Sequence, residues 1–114
     1  MKVSKKLEPV VKKLQKLQQQ LDVLSIQKQN FMIELNDIEN ALKEIELSPE
    51  SNVYEIIGNI MIKKSRTAAI DKLSDKKRLL TIRQETIDKQ VRRVSEEAIE
   101  LQKRLLAAKD KKEG

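Results

Sequence analysis

The chain has 114 residues, of which 37% are charged, with one Phe, one Tyr, no Trp, two Gly and two Pro. So few large apolar side chains make a thin core, which favours long helices or a coiled coil that buries its apolar surface against copies of itself or partners. The absence of Cys and His excludes disulfides, thiolate and imidazole chemistry and the usual zinc sites, and the net charge of +6 is gathered at the two ends.

The opening MKVSKKLEPVV has lysines but no apolar run behind them, so no signal peptide is expected. No stretch approaches the roughly 18 apolar residues of a membrane span. Pro9 suits the first turn of a helix, where its missing N–H costs nothing. An apolar register with alternating spacings of three and four then runs through Val10, Leu14, Leu17, Leu21, Leu24, Lys28, Phe31, Leu35, Ile38, Leu42 and Ile45, with Val3 and Leu7 continuing it backwards. This is a coiled-coil seam, interrupted only by Lys28. Ser48-Pro49 ends the helix, because the residue before proline disfavours helical dihedrals. The spacing predicts a helix over 9–47, about 58 Å long.

The next segment, VYEIIGNIMIKK (53–64), is rich in β-branched residues and centred on Gly58-Asn59. Glycine at the first central position suits a type II′ turn, so the segment reads as a β-hairpin. Val53, Ile57, Ile60 and Ile62 fall on one face, and Tyr54, Ile56 and Met61 on the other. An isolated hairpin is marginal in water, and this one carries apolar residues on both faces and two open edges. Val53, Tyr54, Ile56, Ile57, Gly58, Ile60, Met61 and Ile62 are therefore the candidate oligomerisation residues, completed by strands of other subunits.

Ser65 is a plausible N-cap for a second helix over 66–112, about 70 Å long. Its seam is Ile70, Leu73, Lys77, Leu80, Gln84, Ile87, Val91, Val94, Ala98, Leu101, Leu105 and Ala108. The hairpin reverses the chain, so the two seams are expected to pair as an antiparallel coiled coil within one domain spanning 1–114. Val23, Ile26, Ile33 and Ala41 on the first helix, and Leu79 and Ile82 on the second, exceed what a two-stranded coil needs and should pack on something else. The seam residues Lys28, Lys77 and Gln84 are read as fixing register and orientation. Carboxylates such as Glu39, four residues before Lys43, read as solvated helix surface.

The antiparallel arrangement brings both termini to one tip. Val3, Leu7, Val10 and Val11 meet Leu101, Leu105, Leu106 and Ala107 there, either finishing the coil or holding unstructured apolar segments of other chains. No nucleophile–base pair and no phosphate-cradling loop is present, so no enzyme and no cofactor are expected. The basic ends lack interleaved aromatics and any recognised nucleic-acid motif.

LQKLQQQLDVLSIQKQ (14–29), NVYEIIGNIMIKKS (52–65) and LLTIRQETIDKQVRRV (79–94) together resemble the β-type subunits of the prefoldin family, most closely the archaeal ones. The middle block is the most specific, and a single hairpin fits the β-type. The resemblance implies a hexamer of two α-type and four β-type subunits, whose hairpins assemble into an inter-subunit β-barrel and whose coiled coils surround a cavity. It implies an ATP-independent cytoplasmic chaperone, whose tips hold unfolded proteins and pass them to a group II chaperonin. Arg66-Thr67 and a net basic second helix depart from the acidic residues expected after the hairpin. Two other readings fit the residues: a structural coiled-coil scaffold tethering two proteins, and a nucleic-acid binder acting through its basic tip.

Overall fold

A computed structural model describes residues 5–48 and 52–113, with side chains to Ala108. Helix α1 (Glu8–Leu47, 40 residues) leads through strand β1 (Asn52–Ile57), strand β2 (Ile60–Ser65) and helix α2 (Arg66–Glu113, 48 residues). Val3 and Pro49, which figure in the sequence reading, lie outside the described residues.

Each element starts and stops for a local reason. The Leu7 carbonyl accepts the Val11 amide at 3.0 Å, opening α1 with Pro9 in its first turn. At the other end the Ser48 amide is shared between the Glu44 and Ile45 carbonyls at 3.1 and 3.2 Å, and Arg66 donates to the Glu46 carbonyl at 3.3 Å. Both satisfy carbonyls that a helix end leaves without partners. The strands pair antiparallel, with Ile57 opposite Ile60, leaving a two-residue turn. Gly58 has φ of 59° and no non-glycine residue among the described residues has positive φ, which fits the type II′ turn rather than type I′. The Ser65 hydroxyl accepts the Ala68 amide at 3.1 Å, the capping role expected of it, a contact of about 1 kcal/mol.

The chain divides into two packing units. In the terminal unit, formed by the described residues of Met1–Gln29 and Thr86–Gly114, Leu17, Val94, Ala98 and Leu101 are buried together, with Val10, Leu14, Leu21 and Leu24 packed against them. In the hairpin unit, Asn30–Glu85, the buried apolar residues are Ile38, Ala69 and Leu80. Every described seam position named above is buried or half-buried. Val23, Ile26, Ile33, Leu79 and Ile82 are exposed, as a two-stranded coil requires of residues outside its seam.

The seam lysines end on carboxylates of the opposite helix. Lys28 reaches Asp88 at 2.7 Å within the terminal unit, and Lys77 reaches Glu39 at 3.7 Å within the hairpin unit. Glu39 thus bonds across the coil, not along its own helix to Lys43. A cation placed in the seam and neutralised from the facing helix favours one register over its slipped alternatives.

Candidate functional site: the uncovered hairpin and the terminal unit

The register puts Val53, Glu55, Ile57, Ile60, Ile62 and Lys64 on one face of the hairpin, and Tyr54, Ile56, Met61 and Lys63 on the other. The first face turns its base towards the helices of its own unit. Val53, Glu55 and Lys64 are half-buried there, beside a cavity of about 410 Å³ also lined by Ala41, Ile45, Ala69 and Leu73. Towards the turn that cover ends: Ile57, Ile60 and Ile62 are exposed, and so are Tyr54, Ile56 and Met61 on the other face, from 41% at Ile62 to 71% at Ile56. Leu47, at the end of α1, is 80% exposed. The sheet contains only these two strands among the described residues, so both outer edges keep unpaired backbone groups.

An ion cluster holds the hairpin to its helix. Glu55 on β1 pairs through one carboxylate oxygen with Lys64 on β2, and through the other with Lys72 on α2 at 2.7 Å. The hydrogen bonds from Lys64 and then Lys72 hold the Glu55 carboxyl down to about 2, from 4.5. The same contact with Glu55 raises Lys72. The cluster spans β1, β2 and α2, so it sets the angle at which the hairpin leaves the coil. Sequence reasoning missed it because Lys72 lies 17 residues from Glu55. The available signal was a carboxylate on the inward-facing position of an otherwise apolar strand.

Because Glu55 ionises more readily in the folded chain, its contribution is complete above pH 4.5 and is lost as pH falls towards 2. Glu55→Gln is expected to lower the unfolding midpoint at pH 7 and to flatten the dependence on pH between 4.5 and 2. Thermal unfolding followed by circular dichroism across that range checks this, and parallel wild-type and variant curves would remove the cluster from the account.

In the terminal unit the candidate binding residues occupy different environments. Leu106 is 62% exposed and Ala107 is exposed. Leu7, Val10, Val11 and Leu105 are half-buried. Leu101 is buried in the core with Leu17, Val94 and Ala98. The seam continues to this level, so Leu101 packs in the core as its seam position requires and lies beneath the more exposed residues.

These features define a class: two long helices paired through a heptad seam, joined by one β-hairpin whose apolar surfaces a single chain leaves bare. The family model described as "Prefoldin subunit" matches residues 8–111, and the chain belongs to the prefoldin family. The prefoldin subunit beta of Pyrococcus abyssi is 30% identical over 103 residues, covering 90% of this chain and 88% of that protein. The prefoldin subunit beta of Saccharolobus islandicus is 36% identical over 93 residues, covering 77% and 74%. The crystal structure of the prefoldin beta subunit from Thermococcus strain KS-1 superposes with a TM-score of 0.84 at 28% identity, covering 94% of this chain and 95% of that one. The β-type resemblance read from the hairpin block thus holds over nearly the whole chain, and it carries a chaperone-type function and assembly with other prefoldin subunits. No helix among the described residues is long and apolar enough to cross a membrane.

Proposed function

We propose that this chain is the β-type subunit of an ATP-independent cytoplasmic holdase. It assembles with α-type subunits and further copies of itself into an α2β4 hexamer, captures unfolded proteins at the helix ends and hands them to a group II chaperonin. The observation that carries the reading is the bare hairpin. Tyr54, Ile56 and Met61 on one face, and Ile57, Ile60 and Ile62 on the other, are exposed beside unpaired strand edges. Strands from neighbouring subunits complete this hairpin into a β-barrel, which removes the edges. Assembly places several helix ends around one client, and several weak contacts then act at high effective concentration. Leu106 and Ala107 supply accessible apolar surface at those ends, with Leu7, Val10, Val11 and Leu105 beside them and Leu101 as their support.

The test is suppression of aggregation of a denatured client without ATP, measured beside the mass of the complex formed with and without an α-type subunit. Deleting Met1–Glu8 and the residues after Leu105 is expected to leave the complex intact and to abolish most of the suppression. Undiminished suppression by that variant would show that capture lies elsewhere.

A further inference from the structure

The terminal unit holds a second surface, an open groove of about 490 Å³ between α1 and α2. Its edge departs from coiled-coil habit. Lys13 pairs with Glu97 at 3.0 Å across the helices, as charged residues flanking a seam ordinarily do. One heptad further from Lys13 stands Gln20, and one heptad back from Glu97 stands Gln90. Gln27 continues the series on α1. Ion pairing along this edge thus gives way to uncharged amides, and among the described residues these three have no hydrogen-bond partner. Each primary amide offers donors and acceptors together, which matches the alternating N–H and C=O groups of an extended backbone.

The rest of the lining gives the groove a polarity. Leu24 and Val94 form an apolar floor, and Val23 on the rim is 55% exposed. Lys16 and Arg93 are its only charged lining residues, and neither has an ion-pair partner among the described residues. Each lies about one turn from the Lys13–Glu97 bridge, in the same direction along the coil. Both cations therefore stand at one end and Gln27 at the other. Lys16 to Gln27 covers about 16 Å of helix, the span of about five extended residues. Around this groove the sequence is basic: segments 1–29 and 86–114 carry 15 basic and eight acidic residues, against nine and ten in Asn30–Glu85.

We infer that this groove binds an extended segment of client polypeptide with carboxylate side chains at one end and aliphatic side chains behind them. The carboxylates meet Lys16 and Arg93, the backbone meets the glutamine amides, and the aliphatic groups lie over Leu24, Val94 and Val23. The inference rests on the client-binding reading above and adds to it a preference for acidic-aliphatic sequence.

Two labelled peptides of equal length test it by fluorescence anisotropy on the assembled full-length protein. One alternates Glu with Leu and Val, and the other has Lys in place of Glu. The acidic peptide is expected to bind at least about tenfold more tightly. Lys16→Glu with Arg93→Glu should reverse the preference. Lys89→Glu with Arg92→Glu, the same charge change outside the groove, should leave most of it. Equal binding of the two peptides, equal effects of the two double variants, or displacement of the acidic peptide by a single-stranded oligonucleotide would each overturn the assignment. Aggregation suppression run in parallel separates the two readings. Suppression without peptide discrimination overturns the groove alone, whereas discrimination without suppression supports the groove and overturns the holdase.

Discussion

Ile60→Asp is expected to dissolve the oligomer while leaving the helical signal nearly unchanged. Ile60 follows the turn and is 64% exposed in the single chain, so a carboxylate there costs the monomer almost nothing. In the barrel proposed above the same position would be taken out of water, and an unpaired buried carboxylate costs several kcal/mol. The helices are held by other residues, Ile38 and Leu80 in one unit and Leu17, Val94, Ala98 and Leu101 in the other, none of which touches the change. The mass of the species in solution and the circular dichroism at 222 nm decide the matter together. An intact oligomer would move the assembly interface away from the hairpin. Loss of both mass and helicity would mean that the helices depend on assembly for their own folding.

Leu80→Ala should produce the largest loss of stability among single truncations in the hairpin unit. Leu80 is 3% exposed, the most buried of the large side chains among the described residues. Removing its branched end leaves a void that two helices cannot fully close, costing about 2–5 kcal/mol. The whole stability of a domain is only about 5–15 kcal/mol, so the unfolding transition should move visibly. Leu79 next to it is 49% exposed, and Leu79→Ala should cost no more than about 0.5 kcal/mol if nothing covers it. Urea unfolding of both variants at equal protomer concentration makes the comparison clean. A loss below about 1 kcal/mol at Leu80 would contradict the core assignment. Matching losses at the two positions would instead show that assembly buries Leu79.

The division between what the residues reveal and what they hide follows their range. The seam was legible because a period of three and four marks the same stripe whatever lies beyond it. Every described residue assigned to the seam is buried or half-buried, down to the polar positions Lys28, Lys77 and Gln84. The turn was legible because Gly58 alone permits its positive φ without steric cost. Ser65 was legible because its hydroxyl reaches an amide three residues on. Contacts between distant segments were not. Glu39 could be paired from sequence only with its helical neighbour, and nothing local announces Lys77 as its partner. The bridges from Glu55 to Lys64 and Lys72 were hidden likewise, since strand and helix meet only after the chain has turned back. Leu101 was legible as a seam residue, but whether it finished the coil or faced outward at the tip was not, because periodicity reports which side a residue faces and not how far along the coil the packing persists.

The junction between β2 and α2 carries a consequence for the protein's history. Ser65 ends the strand and Arg66 begins the helix with no residue between them, whereas residues 48–51 separate α1 from β1. One residue inserted after Ser65 would turn the whole of α2 by about 100°, swinging Leu73 and Leu80 out of the seam and breaking the Ser65 cap. An insertion between the end of α1 at Leu47 and the start of β1 at Asn52 falls inside neither element and so shifts no residue within either. Length variation in this lineage should therefore accumulate on the side of the hairpin that α1 enters. The side from which α2 leaves should keep its count, because there the strand's pleat and the helix's rotation are phased to a single residue.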